Sequence, residues 1–322
     1  MSSMVTSFST LCQDKYGFRT LLKLVNIVTT LEKEHEKKRK GKEKPSQELD
    51  SLRLKRALLN ELCANDEILN KCSCNLYGNL VVQQLMQNMP KEWLSLITRK
   101  LSGKLYGYCV DPFGSHVVQT IMDCYDNDAQ RSDIYDEVLS KIVGLSTNVR
   151  GNYVVQKMLT LCQSPNVLER ISKLFSNHIK VLCCHKISSN VVQLALRSLP
   201  APYRNVIIAS ICQDSKSYSN SFLATSKKIP FSAQLTTHQY GNYVLQTALE
   251  VCSQETHEKL VKLILPHISE ADLPRFPWGK KLRKKLHMYD QVIEGKESIH
   301  LHPALISPTT SSLDNTNTPN LL

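Results

Sequence analysis

Apolar residues recur along the chain in short stripes with the spacing i, i+4, i+7, which places each stripe on one face of an α-helix. Six stripes have this spacing: Leu21/Val25/Val28, Val82/Met86/Met89, Val118/Met122/Tyr125, Val155/Leu159/Cys162, Val192/Leu196/Leu199 and Leu245/Leu249/Cys252. A second apolar pattern of helical spacing lies between the stripes, at 93–101, 134–143, 167–175, 206–212 and 260–265. The two patterns predict units of two helices, or of two helices and a short turn.

Each stripe follows a short motif that recurs at a nearly constant period. The motif opens at Gly17, Gly78, Gly114, Gly151, Ser188 and Gly241, with successive intervals of 61, 36, 37, 37 and 53 residues. A weaker seventh copy opens at Gly279, 38 residues after the sixth. Helical units of this length cannot bury their apolar faces alone and must stack on their neighbours. The sequence therefore predicts an all-α fold, an α-solenoid of about six to eight repeats.

Two of the intervals are too long and indicate insertions. The first insertion covers about 32–48, a Lys/Glu-rich run that ends at Pro45, and we interpret it as a solvated loop or a helix extension. The second covers about 214–237, is rich in Ser, Thr and Lys and contains Pro230, and we interpret it as a loop on one face of the array. Residues 1–290 are then the repeat domain, and the polar segment 291–322 is predicted to be a disordered tail.

Composition narrows the class of protein. A net charge of +11 over 322 residues favours a polyanionic partner such as nucleic acid. There is no apolar run of 18 residues and no N-terminal signal sequence, so we expect a cytoplasmic protein without a membrane span. The eleven cysteines are odd in number, and we interpret most of them as small buried apolar residues rather than disulfides or metal ligands. No catalytic motif occurs, so we predict no enzyme, no metal and no cofactor.

The polar positions of the motif carry the functional prediction. The opening Gly or Ser is followed at once by Asn or Ser, and four residues later by Gln, in the pairs Asn79/Gln83, Ser115/Gln119, Asn152/Gln156, Ser189/Gln193 and Asn242/Gln246. Residues four apart are neighbours on a helical face, so each pair can bond the edge of one base. The residue after the first partner lies beside the pair, where it can stack on a base: Leu80, His116, Tyr153, Asn190 and Tyr243, with Arg19 in the first copy.

One such Gln is readily explained as a good helix former on a solvated face. Gln at the same register in five copies favours a binding surface, and single-stranded RNA is read by this combination of edge bonding and stacking. Here the sequence resembles the PUF (Pumilio-homology) family, from about Asp14 to Leu286. The resemblance implies three-helix repeats in a right-handed superhelical crescent, with RNA bound antiparallel to the protein on the inner surface.

The resemblance also implies a base preference for each copy. Asn152/Tyr153/Gln156 and Asn242/Tyr243/Gln246 are similar to the family's uracil-reading triplet, and Ser115/His116/Gln119 resembles the adenine-reading triplet. Asn79/Leu80/Gln83 has uracil-like edge groups with an aliphatic stacking residue.

The fifth and first copies depart from the family pattern. Ser189/Asn190/Gln193 stands where the penultimate family repeat carries Glu and reads guanine. A neutral amide lacks the charge-assisted bonds of a carboxylate, so guanine preference should weaken, and the predicted core site is U-(A or N)-U-A-U. The first copy, with Phe18, Arg19 and Leu22, is predicted to be a capping unit. Six copies resemble divergent fungal members, and the short segment before the first copy is expected of a C-terminal part of a longer protein.

The end of the array offers a second kind of contact. Gly279-Lys280 matches the family's terminal element. The cations Lys280, Lys281, Arg283 and Lys284 belong to a basic cluster without an intervening acid and are candidate phosphate contacts, unless they form only a solvated terminal helix. The resemblance implies binding to messenger RNA 3′ untranslated regions, with translation repression or decay through recruited proteins. Two alternatives stay open: a helical scaffold that grips a peptide, and a PUF-like ribosome-biogenesis factor with little sequence preference.

Overall fold

The computed structural model describes residues 2–38, 46–213, 229–269 and 271–289, and within these ranges it contains helices and no strand. The α-helices are α1 (Ser2–Gln13), α2 (Gly17–Lys38), α3 (Ser46–Leu62), α4 (Asp66–Ser73), α5 (Gly78–Asn88), α6 (Lys91–Leu101), α7 (Leu105–Val110), α8 (Gly114–Cys124), α9 (Asp128–Ser140), α10 (Ile142–Thr147), α11 (Gly151–Leu161), α12 (Pro165–Asn177), α13 (Ile179–Cys184), α14 (Ser188–Ser198), α15 (Ala201–Cys212), α16 (Phe231–Leu235), α17 (Gly241–Val251), α18 (Gln254–Ile264) and α19 (Gly279–Leu286). Two short 3-10 turns, Leu265–His267 and Leu273–Arg275, precede α19.

The first eighteen helices form six repeats of three helices each. The second helix of every repeat, which we call the middle helix, begins at the recurring Gly or at Ser188. The middle helices α2, α5, α8, α11, α14 and α17 pack one on the next, and α19 continues the row against α17. All eighteen residues of the predicted stripes are buried, so the periodic pattern marks the core of a stacked helical array. The prediction of an all-α solenoid is confirmed.

The apolar pattern predicted two helices, or two helices and a short turn, and the structure has a separate helix at the place of that turn. Each repeat therefore has three helices, as the resemblance to the PUF family implies. The apolar segment predicted at 134–143 spans the end of α9 and the start of α10, which are separated by Lys141 alone. Leu139 and Ile142 are buried on either side of this break. Apolar spacing continues across so short a junction, so it does not reveal where one helix ends.

The opening Gly lets the middle helix approach the short helix before it. A Cβ atom on Gly78 would lie 2.9 Å from the Cα of Cys72 and closer still to the Cys72 carbonyl oxygen. In the fifth repeat Ser188 takes the place of Gly, and its hydroxyl donates to the carbonyl oxygen of Leu182 at 2.8 Å. Both residue pairs are six apart, so the same close contact sets the angle between these two helices in each repeat.

A capping residue three positions before the opening Gly or Ser also recurs, and the sequence analysis missed it. The Oδ1 of Asn75 accepts the backbone N–H groups of Tyr77 at 2.8 Å and Gly78 at 3.0 Å. The same two bonds are made by Asp14, Asp111, Asn148, His185 and His238, the last two through Nδ1. In the first repeat, the N–H groups of Gly17 and Tyr16 lower the pKa of Asp14. These caps satisfy N–H groups that helix starts leave unbonded.

The two predicted insertions have different outcomes. At 32–38 the chain continues α2, as a helix extension, and residues 39–45 lie outside the described residues. Residues 214–228 also lie outside them, but the prediction of a loop up to 237 is wrong. Residues 231–235 form α16, the first helix of the sixth repeat, with Phe231 and Leu235 buried. Pro230, whose fixed φ suits a helix start, precedes this helix.

The first copy is a full repeat rather than the predicted cap, because α1, α2 and α3 supply all three helices. The described residues up to Leu286 form one unit by their contacts, and the predicted tail at 291–322 lies outside the described residues. Eight of the eleven cysteines are buried, as expected for small apolar residues, and the other three are half-buried. Burial raises the pKa of Cys109 to about 12. In the part of the chain that the structure describes, no helix has the length and apolarity to cross a membrane.

Candidate nucleic-acid interface

The five predicted pairs lie at one register on five successive middle helices. In each pair the Asn or Ser is buried and the Gln is half-buried, so the Gln is the member of the pair that solvent can reach. We call the row of pairs, with the exposed residue that follows each Asn or Ser, the reading surface. Its members are Asn79, Leu80, Gln83, Ser115, His116, Gln119, Asn152, Tyr153, Gln156, Ser189, Asn190, Gln193, Asn242, Tyr243 and Gln246.

The two amides of each Asn/Gln pair are bonded to one another. Gln83 Nε2 donates to Asn79 Oδ1 at 2.8 Å, and the pairs at Asn152/Gln156 and Asn242/Gln246 make the same bond at 2.8 and 2.9 Å. The shared geometry means that these three sites present one chemical pattern.

Backbone acceptors fix which way the Asn amides face. Asn79 Nδ2 donates to the backbone carbonyl oxygens of Asn75 at 2.7 Å and Leu76 at 2.9 Å. A carbonyl oxygen can only accept, so the nitrogen of this amide must point inward and its oxygen must point to Gln83. Although the Asn side chain is buried, its acceptor oxygen therefore lies beside the second N–H of the half-buried Gln.

The two Ser pairs differ because a serine side chain is too short to reach the Gln amide. Gln119 Nε2 donates instead to the backbone oxygen of Ser115 at 3.1 Å, and Gln193 Nε2 donates to that of Ser189 at 3.2 Å. This leaves the Gln oxygen and one N–H on the same amide as the outward groups. A single amide with both groups exposed can bond adenine at two positions.

The predicted stacking residues all lie exposed beside the pairs. Tyr153 is 53% exposed, Tyr243 47% and Leu80 43%. His116, Asn190 and Arg19 are exposed as well. Tyr153, Tyr243 and His116 thus present rings, whereas Asn190 and Leu80 offer smaller surfaces to a base.

The first repeat has no amide pair, and an aromatic residue at the register of Asn packs against the second repeat. The ring of Phe18 stacks on the ring of Tyr77 from the second repeat, with centroids 4.9 Å apart and planes inclined by 17°. The guanidinium of Arg19 lies 5.9 Å from the centroid of Phe18. Leu22 is half-buried at the register that Gln occupies in the other repeats. Arg19 keeps a stacking group here without any edge group beside it.

At the other end of the row, α19 replaces the amide pair with cations. Lys280, Lys281 and Lys284 hold the registers of Asn, stacking residue and Gln, and these three side chains and that of Arg283 are exposed. Just before α19, the ring of Trp278 lies 6.5 Å from Tyr243, and its Nε1 donates to the Thr236 carbonyl oxygen at 2.8 Å. Sequence reasoning missed Trp278, although aromatic residues precede the opening Gly in several copies.

Polar bridges across neighbouring middle helices also escaped the sequence analysis. Most of them join fixed positions of two neighbouring middle helices. One partner is the sixth residue after the opening Gly of its helix, and the other is the ninth residue after the opening Gly or Ser of the middle helix before it. They are Gln84 with Asn26 at 2.5 Å, Lys157 with Asp123 at 3.0 Å, Thr247 with Arg197 at 3.1 Å and Lys285 with Glu250 at 2.9 Å. Thr120 departs from this rule, because its hydroxyl donates to Gln83 Oε1 of the second repeat at 2.9 Å. These bonds join the middle helices of all neighbouring repeats except the fourth and fifth, where Leu194 takes the equivalent position.

Fold and surface together define an α-helical repeat protein whose stacked middle helices present a row of similar polar sites. Five segments match the model of the Pumilio-family RNA binding repeat (PUF), at residues 70–92, 104–139, 141–171, 178–212 and 233–265. These segments fall in repeats two to six. The chain belongs to the PUF family of repeat proteins.

Relatives and solved structures are consistent with this assignment. A Pumilio domain-containing protein of Schizosaccharomyces pombe, C6G9.14, is 24% identical over 261 residues, which are 79% of this chain and 34% of that protein. The chain therefore spans about a third of the length of this relative. The crystal structure of PUF-8 in complex with PBE-RNA superposes with a TM-score of 0.68 at 22% identity, covering 90% of this chain and 73% of that one. The Puf4 RNA binding domain, bound to a 3′ UTR recognition sequence of HO endonuclease RNA, gives a TM-score of 0.57 at 18% identity, covering 89% and 88%.

Proposed function

We propose that this chain binds single-stranded RNA selectively, with one base at each of repeats two to six. The observation that carries the proposal is the row of five Asn/Gln or Ser/Gln pairs, which repeat one register on five stacked helices. A solvated helix face would not need Gln at the same register in five stacked repeats. The family of RNA binding repeats to which the chain belongs supports the same reading.

The hydrogen-bonding groups of the Asn/Gln pairs suit uracil. Uracil carries an acceptor oxygen next to the donor N3–H, and the pair offers the Gln N–H next to the Asn oxygen. Beside Asn152/Gln156 and Asn242/Gln246, the exposed rings of Tyr153 and Tyr243 can stack on the same base. We assign uracil to these repeats and, through its equivalent edge groups, to Asn79/Gln83.

The Ser/Gln pairs suit an amino base. Gln119 keeps both an oxygen and an N–H outward, and His116 is exposed beside it, so we assign adenine to the third repeat. In the fifth repeat Gln193 is neutral and Asn190 offers little stacking area, so we assign adenine or a relaxed choice there. With RNA antiparallel to the protein, the core site reads U-(A or N)-U-A-U.

The cations of α19 supply the second part of the proposal. Lys280, Lys281, Arg283 and Lys284 lie at the end of the row nearest the fifth and sixth repeats, where they would contact phosphates of the RNA upstream of the core site. Phosphate contacts of this kind add affinity without base preference. The net charge of +11 agrees with such a partner.

The biological role that follows is regulation of messenger RNA through 3′ untranslated regions. Puf4, a structural neighbour, is bound to a 3′ UTR recognition sequence. We extend this class of target to the present chain, as a cytoplasmic protein that lowers translation or stability of its targets by recruiting repressor or decay proteins.

Selection from RNA of randomised sequence, followed by binding assays, tests the proposal. We expect uracil at the first, third and fifth positions of the selected site. Gln156→Ala should weaken binding of the selected RNA about tenfold, within the range of about 1–3 kcal/mol for a well-placed base contact. Gln254→Ala is the matched control, because Gln254 is exposed on α18, outside the reading surface.

Two results would contradict the proposal. Selection without uracil opposite Asn242/Gln246 would remove the base assignment. A steep salt dependence with no effect of Gln156→Ala would point instead to a PUF-like protein that binds nucleic acid through charge alone.

A further inference from the structure

The three Asn/Gln pairs look identical in sequence, but their Gln amides are held differently. Gln83 Nε2 donates to Asn79 Oδ1 at 2.8 Å, and Gln83 Oε1 accepts the hydroxyl of Thr120 at 2.9 Å. Both ends of this amide are therefore bonded. Thr120 belongs to the next middle helix, is 7% exposed and lies 37 residues further along the chain.

The residues equivalent to Thr120 do not hold the other two Gln amides. Opposite Gln156 the same register is Leu194, which has no hydrogen-bonding group in its side chain. Opposite Gln246 it is Lys285, whose ammonium group pairs with Glu250 at 2.9 Å. Among the described residues, Gln156 and Gln246 are thus bonded through Nε2 alone.

An amide that is bonded at one end can swing about that bond, and a swing changes what it presents to a base. Asn79 Oδ1 can only accept a hydrogen bond, so the amide nitrogen of Gln83, and not its oxygen, faces this atom. The hydroxyl of Thr120 then holds the oxygen and prevents rotation about the first bond. The second N–H of Gln83 consequently keeps one direction in the protein without RNA.

We infer that Thr120 is a specificity-positioning residue, which holds Gln83 so that the second repeat distinguishes uracil from cytosine. This inference rests on the proposed RNA binding. Uracil can use the fixed Gln N–H and the Asn oxygen together. In the pose that uracil takes, cytosine instead turns its amino group toward the Gln N–H and its unprotonated N3 toward the Asn oxygen, so both contacts are mismatched. The first mismatch is relieved only when the Gln oxygen swings outward. Pre-organisation of this kind also offsets the weak stacking surface of Leu80 in the same repeat.

Competition binding with three RNAs measures this discrimination. The reference carries the core U-A-U-A-U, the second RNA has cytosine at the fifth position, opposite Gln83, and the third has cytosine at the third position, opposite Gln156. The ratio of affinities for uracil over cytosine is determined at each position. Replacement of Thr120 by the isosteric valine should lower the ratio at the fifth position about fivefold, as expected for one hydrogen bond, and leave the ratio at the third position unchanged.

Two further variants separate positioning from a general structural effect. Thr120→Ser keeps the hydroxyl and should retain the ratio of the wild type. Thr247→Val alters the same register in the sixth repeat, where the hydroxyl bonds Arg197 and the Tyr243 carbonyl oxygen rather than a Gln, and should change neither ratio. An unchanged ratio at the fifth position in Thr120→Val, or an equal fall at both positions, would overturn the inference.

A measurement on the wild-type protein without RNA covers the case in which Thr120→Val does not fold. The side-chain amide of Gln83 should show a higher NMR order parameter than that of Gln156, because both of its ends are bonded. Equal order parameters would overturn the inference while leaving RNA binding intact. If the wild-type protein binds none of the three RNAs, the proposed function itself fails.

Discussion

Replacement of Gly78 by alanine tests the close contact that aims each middle helix toward the reading surface. The added Cβ would lie 2.9 Å from Cys72 Cα and 3.0 Å from its carbonyl carbon, and closer still to its carbonyl oxygen. All three neighbours are backbone atoms, so no side chain can rotate away and the helices α4 and α5 must separate.

The size of the effect follows from two opposing contributions. Overpacking of a buried contact costs about 1–3 kcal/mol, and a contact with rigid backbone should lie at or above the upper end. Alanine in place of glycine favours a helix by roughly 1 kcal/mol. We therefore expect Gly78→Ala to lower the free energy of unfolding by about 2 kcal/mol.

Thermal unfolding followed by circular dichroism, together with urea titration, measures this difference. Gly144→Ala is the matched control, because Gly144 is also helical, in α10, and a Cβ there would meet nothing within 4 Å. That variant should be equally stable or more stable than the wild type. A Gly78→Ala protein as stable as Gly144→Ala would refute the argument that steric contact requires the recurring glycine.

Two other predictions concern a buried charge and the terminal cations. Arg131 is 6% exposed, donates through Nε to the Met122 carbonyl oxygen at 2.8 Å and pairs with Asp128. Because Arg131→Met leaves the carboxylate of Asp128 without this partner, it should lower the free energy of unfolding in urea by about 3 kcal/mol. Loss of an ion pair on the surface would lower it by less than about 1 kcal/mol. The double replacement of Lys280 and Lys284 by alanine should weaken binding of all RNAs alike and reduce the slope of log affinity against log salt by about 2; a change in base preference instead would contradict a phosphate role.

The Asp128 network shows why some contacts could not be predicted from the sequence. Asp128 Oδ2 accepts the backbone N–H groups of Gln163 at 2.6 Å and Ser164 at 2.5 Å, at the start of the last helix of the next repeat. No local pattern links residues 35 or 36 positions apart. The aromatic contact between Phe18 and Tyr77 is hidden for the same reason, since it joins the first repeat to the second across the longest interval.

Errors in the predicted elements have a local cause. Residues 231–235 were expected to belong to a loop because Ser, Thr and Lys surround them, yet two apolar residues four apart are enough to form one buried turn of helix once neighbouring repeats cover it. Short helices gain most of their stability from such packing rather than from their own sequence. The same effect hid the short helix at the start of every repeat.

The sequence alone determined the period, the buried stripes and the register of the polar pairs, because each depends on spacings of three or four residues within one helix. The tertiary structure alone decided how those polar groups face. The inward nitrogen of Asn79 depends on carbonyl oxygens in the preceding turn, and the hold on Gln83 depends on Thr120 in the next repeat. One of three pairs with the same residue types thus becomes a distinct site, since hydrogen bonds across repeats differ where the local sequence does not.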